Sequence, residues 1–144
     1  MFAKALPMIQ TLGSLKRLEL LRNSSEIKDK LWVNVNALQN GLKEKGFNIG
    51  DTNTCITPVY LEGSIPEAMV MVNDLRENYN IFLSIVVYPV IPKGIILLRM
   101  IPTASHTMQD IDETLSAFEA IREKLVNGTY KAIAAKTTVD VTAE

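Results

Sequence analysis

Two strongly apolar runs, residues 81–88 and 95–101, lie on either side of a short loop holding Pro89, Pro92 and Gly94. This pairing constrains the fold more than any other stretch. The first run, IFLSIVVY, ends in Ile85, Val86, Val87 and Tyr88, β-branched and aromatic types that pack well on a pleated surface. Proline has no N–H to give to a ladder, so neither Pro89 nor Pro92 carries the strand on. The two runs therefore read as a β-hairpin, with residues 81–88 as the candidate central strand.

Helical spacing flanks the hairpin on both sides. Leu12, Leu15, Leu18 and Leu21 recur at threes, and Ile27, Leu31, Val35, Leu38 and Leu42 at threes and fours. Asn23-Ser24-Ser25 interrupts this pattern, either parting two helices or lying as a polar patch in one. Gly46 is placed as a left-handed helix stop, with Phe47 as its apolar follower. Residues 56–61, ITPVYL, read as a short strand that Pro58 confines to a strand start or a sheet edge. Ser64 precedes Glu67 by three residues, a capping-box pattern, and Pro66 suits a first helical turn. Ile65, Ala68, Val72 and Leu75 give that helix its apolar face. Thr107 and Asp110 repeat the box ahead of a helix lined by Ile111, Leu115, Phe118, Ile121 and Leu125, which Asn127-Gly128 ends. The order helix, strand, helix, strand, strand, helix implies an α+β fold: a three-stranded sheet with helices packed on one face. The expected division is an apolar arm over 1–11, a single α+β domain over 12–128, and a tail over 129–144 whose pattern assigns no element.

The balance of residues narrows the function. A formal charge of −1 disfavours nucleic-acid binding, which needs a basic footprint. One His and one Cys leave too few strong ligands for a zinc site and no intrachain disulfide. The opening MFAKALPMIQ lacks the layout of a secretory leader, and no run has the length of a membrane span. The expectation is a cytoplasmic protein with no membrane or nucleic-acid partner.

Arg99 asks most plainly for a functional explanation, because it interrupts LLRMI. A guanidinium in an apolar strand is costly unless its charge is matched, and its planar fork suits a carboxylate. It is either a carboxylate clamp, a solvated outward position, or half of an internal ion pair. His106 at a loop-to-helix junction is either a general base or, more commonly, a group that fixes the hinge. Lys93 reads as a loop lysine and Cys55 as a small apolar group. Asp74, Glu77, Asp110, Asp112 and Glu113 read as solvated helix surface. No nucleophile triad, phosphate loop or carboxylate pair is present in the sequence.

The run YPVIPKGIILLRMIPTASHTMQDID resembles the C-terminal signature of the α-oxoamine synthases, in which a Pro and Gly precede Arg-Leu-Arg, and Ala, a variable residue and His-Thr follow. KEKGFNIGDTNTCITPVYL is similar to an upstream segment of that family, and MFAKALP to its Phe-Ser-x-x-Leu-Pro stretch, so the likeness covers roughly residues 2–126. The resemblance implies the small C-terminal domain of a pyridoxal-phosphate enzyme of the aspartate-aminotransferase fold type. It implies a parent reaction in which an amino acid condenses, with loss of carbon dioxide, with an acyl-CoA. The cofactor's lysine would lie in a large domain that this chain does not encode. The family's second Arg, which binds the substrate carboxylate, maps onto Arg99, while its first falls on Leu97 and loses its charge. His106 and Thr107 take structural support. The chain by itself then holds no catalytic residue, no metal and no cofactor; neither Lys4 nor Lys93 replaces the missing lysine, and which residues face the cofactor stays open. Its expected partners are the large domain and a second copy in a homodimer. The alternative is a free-standing binding or oligomerisation domain that kept the fold and lost the chemistry.

Overall fold

The computed structural model describes residues 5–141. Residues 1–4 and 142–144, and with them Phe2, Lys4 and the ends of the expected arm and tail, lie outside the described residues. The elements in order are α1 (Met8–Asn23), α2 (Ser25–Glu44), β1 (Thr57–Glu62), α3 (Ile65–Tyr79), β2 (Ser84–Val86), β3 (Ile95–Met100), α4 (Met108–Val126) and α5 (Thr129–Val141).

The interruption at residues 23–25 is a true break. Ser24 is extended, with φ −105° and ψ 107°, and it both ends α1 and starts α2. Gly46 stops α2 at φ 76°, and the N–H of Phe47 donates back to the Leu42 carbonyl at 2.9 Å, which occupies a carbonyl the helix leaves open. Ser64 caps α3 by accepting from the Glu67 N–H, and Thr107 and Asp110 form a reciprocal box at the start of α4.

The sheet has the order β1-β3-β2, and both pairings are antiparallel. The hairpin forms, but the central strand is β3 and not the first apolar run, which contributes only the three-residue edge strand β2. Its backbone groups are engaged elsewhere. The Ile81 N–H donates to the Leu75 carbonyl beyond the left-handed Asn80 that ends α3, and the Val87 carbonyl accepts from Val90 in a turn. Between these two anchored ends only Ser84, Ile85 and Val86 pair with β3.

Alternation sorts the sheet into two faces. Thr57, Val59, Ile96, Leu98 and Met100 are buried and point to the helices. The four apolar ones meet Leu38 and Leu42 of α2, Met71 and Leu75 of α3, and Ile111, Phe118 and Ile121 of α4 in one hydrophobic cluster. Phe47 and Phe118 meet edge to face at 5.5 Å. Gly41, unfavourable within a helix, lets α2 approach α4 where a Cβ would overlap Leu115.

Two helices depart from what the pattern announced. Residues 129–141 form α5, and Tyr130 on its first turn is 1% exposed. Its hydroxyl donates to Asp74 at 2.6 Å, so Asp74 is not the solvated surface acid expected from the sequence; its partner stands on a helix whose residues show no clear period. At the other end, α1 buries none of its residues, and Leu12, Leu15, Leu18 and Leu21 are all exposed.

Candidate functional site

Among the described residues no helix covers the opposite face of the sheet. Its rows follow from the register: Pro58, Arg99 and Ser84 lie side by side, then Tyr60, Leu97 and Val86, then Glu62 and Ile95. Leu97, Val86, Ile95 and Pro58 are half-exposed, so the surface is largely apolar with one cation on its middle strand. Alternation places Arg99 there, because Leu98 and Met100 must face the core.

Arg99 is exposed, and of the three readings open at the outset the internal ion pair is absent: no acid pairs with it among the described residues. Glu62, the acid on the same face, stands four strand positions away, about 13 Å at the rise of a strand. Among the described residues its one hydrogen bond runs from Nε to Ser84 Oγ at 3.0 Å.

His106 lies elsewhere. Its Nδ1 accepts the Thr103 N–H at 3.0 Å, and no hydrogen bond joins it to Arg99 among the described residues. Asn34 of α2 clamps the same turn, donating through Nδ2 to the carbonyls of Thr103 at 2.9 Å and His106 at 2.8 Å. The Thr107 N–H and hydroxyl both reach Asp110 Oδ2, at 2.7 and 2.9 Å. The backbone N–H of Thr107, then its hydroxyl, hold the Asp110 carboxyl below its ordinary range. The hinge after β3 is thus fastened at both ends. Beside it an open recess of about 290 Å³ is lined by Leu38, Phe82, Met100, His106, Asp110 and Thr114. Arg99 does not line it. Lys93 Nζ sits 4.9 Å from the centre of the Tyr88 ring, and Cys55 is partly exposed and free.

Ser84 and Asn34 were not singled out from the sequence. Ser84 left a signal: apart from the Tyr88 hydroxyl it is the one polar residue in IFLSIVVY. Its meaning needed the register, which sets it opposite Arg99.

A pyridoxal cofactor needs a lysine for its aldehyde and an acid or arginine at its ring nitrogen. The outer sheet face offers no lysine on any strand, so its residues do not fit the task of holding that group unaided. They fit the task of meeting an anionic ligand held from the other side. No group of three or more His, Cys, Asp or Glu is placed to hold a metal among the described residues, and no helix there is long and apolar enough to cross a membrane.

No family model matches the chain. Among curated proteins it is 70% identical over 141 residues to a cysteate-C-fatty acyltransferase of Capnocytophaga ochracea, covering 98% of this chain and 34% of that protein. It is 35% identical over 125 residues to an 8-amino-7-oxononanoate synthase of Thermoanaerobacter pseudethanolicus, covering 87% of this chain and 31% of that one. Among solved structures, a variant serine palmitoyltransferase from S. paucimobilis with PLP and myriocin bound superposes with a TM-score of 0.73 at 30% identity, over 83% of this chain and 30% of that one. The chain spans about a third of the length of each. The three-stranded α+β fold is that of the C-terminal domain in these neighbours. With its fold, its hairpin motif and these likenesses in agreement, the chain belongs to the α-oxoamine synthase family of pyridoxal-phosphate enzymes, as a C-terminal segment.

Proposed function

We propose that this segment forms one wall of the active site of a pyridoxal-phosphate-dependent fatty acyltransferase, with Arg99 holding the carboxylate of the amino-acid substrate. The observation that carries the reading is an arginine that, among the described residues, has no charged partner and stands on a sheet face without a helix, at the motif position that binds carboxylate in the family. The 70% identity to a cysteate-C-fatty acyltransferase supports cysteate as the amino acid and a fatty acyl-CoA as the acyl donor. A carbon–carbon bond would form between the amino acid's α-carbon and the acyl carbon, with carbon dioxide and the thiol of coenzyme A released. The cofactor supplies carbanion stabilisation when bound. This chain's part is orientation: a planar fork fixes the carboxylate in direction as well as in place. His106, Thr107 and Asn34 act at one remove, by fixing the hinge that follows β3.

The lysine and the cofactor pocket belong to a large domain outside this chain, in keeping with relatives about three times as long. By itself the segment is inactive; it works in the cytoplasm, within a homodimer. The test joins it to the large domain, on one polypeptide or as two chains, and follows coenzyme A release with cysteate and palmitoyl-CoA. Turnover well above that of the large domain alone is expected. Equal turnover with and without this segment defeats the reading.

A further inference from the structure

We propose that Ser84 is a positioning residue that selects how Arg99 grips its ligand: by accepting the Nε–H, it leaves only the end-on Nη1–Nη2 edge for a bidentate carboxylate. The inference rests on the carboxylate role of Arg99 and adds a second residue to it.

A guanidinium offers an oxyanion two kinds of two-pronged edge. One is side-on, through Nε and a neighbouring Nη; the other is end-on, through the two Nη atoms. Ser84 Oγ stands 3.0 Å from Arg99 Nε, so the side-on edge is taken. Among the described residues nothing accepts from Nη1 or Nη2. The two residues face each other directly across β2 and β3, where opposed side chains lie within reach. On the other flank of Arg99 the row holds Pro58, whose side chain has no acceptor. Two positions along β3 on the same face stands Leu97, also without one. Among the described residues Ser84 is the group that accepts from the fork, and so fixes its rotation. The arginine side chain carries large rotamer freedom, and restraining it before the ligand arrives lowers the cost of binding.

The experiment uses the full-length enzyme with its cofactor and the variants Ser84→Ala, Ser84→Thr and Arg99→Ala. The probes are cysteate and taurine, which is cysteate without its carboxylate, titrated against the cofactor's absorbance. Ser84→Ala is expected to raise half-saturation by cysteate about three- to tenfold. Taurine should stay within twofold of the parent, and Ser84→Thr, which keeps the hydroxyl, should restore cysteate binding. If taurine gives no signal, the split for cysteate decides: a rise in KM with kcat largely kept supports the proposal, and a fall in kcat alone overturns it. Unchanged cysteate binding in Ser84→Ala, equal weakening of both probes, or no rescue by threonine also overturns it. The underlying reading fails separately, since Arg99→Ala would then bind cysteate normally. An enzyme that ignores cysteate altogether removes that substrate, and the same comparison then runs on alanine against ethylamine.

Discussion

Among the described residues Asp74 takes three hydrogen bonds, from Lys124 Nζ at 2.7 Å, the Tyr130 hydroxyl at 2.6 Å and Asn78 Nδ2 at 2.6 Å, whereas Arg99 makes one, to a neutral hydroxyl. Both are charged, and both sit on elements that enclose the same core. Asp74 stands where α3, α4 and α5 converge, and its side chain is only 12% exposed. Burial pulls its carboxyl upward, but the bonds from Lys124, Tyr130 and Asn78 outweigh this and hold it below the ordinary value. A charge that joins helices is saturated by them. Arg99 ties only β3 to β2 through Ser84; among the described residues its two Nη atoms have no acceptor. The contrast sets a charge engaged by the fold beside one left open to the carboxylate proposed above.

The largest effect should come from Arg99. In the full-length enzyme, Arg99→Ala is expected to lower kcat/KM for cysteate by about a hundredfold or more, the scale of losing one half of a desolvated ion pair. Arg99→Lys should recover part of it, keeping charge without the fork. The urea midpoint should barely move, because an exposed group with one neutral partner contributes within about 0.5 kcal/mol. Loss of stability without loss of activity would reverse the assignment of the two charges.

Asp74 should behave in the opposite way. Asp74→Ala leaves the buried Tyr130 hydroxyl and the Lys124 amine without their acceptor, and should cost about 2–3 kcal/mol in urea unfolding. Tyr130→Phe keeps the ring and leaves Asp74 two partners, so it should cost about 1 kcal/mol. Cysteate turnover at low denaturant should survive both changes. Should Tyr130→Phe match Asp74→Ala in cost, the hydroxyl and not the carboxylate would be the centre of this junction.

The sequence was most informative where one residue type answers one local need. Gly46 and the Thr107–Asp110 box marked helix ends because few other residues satisfy those backbone groups. The alternation in IILLRM identified Arg99 as the odd member of an apolar strand. What stayed hidden depended on partners distant along the chain. Asn34 is 69 residues from Thr103, and Tyr130 is 56 from Asp74. The rank of the first apolar run was misjudged for a similar reason: β-propensity describes the side chains of 81–88, while the ladder is decided by backbone groups already given to the end of α3 and to the turn at Val87. The exposure of α1 had no local signal either, since its leucines at threes look the same whether or not a partner surface exists.

The smallest effect is a matter of pH, and it separates the two charges without altering the core. The folded Asp74 carboxyl titrates below its ordinary 3.8, so its contribution is present above 3.8 and is lost as pH falls through the folded value. Asp74→Asn should therefore flatten the fall of stability below about pH 4. At the alkaline end the signs reverse. The bond to Asp74 raises Lys124 above 10.5, and burial followed by Asp74 raises Tyr130 above 10.0, so both contribute at lower pH and fade as pH climbs past those values. Asp74→Asn should weaken that alkaline dependence as well, and Arg99→Ala should change neither limb. Urea midpoints taken across the range for the three proteins decide it: parallel curves for the parent and Asp74→Asn would mean that the junction of α3, α4 and α5 is held by packing around Tyr130 and not by its charge.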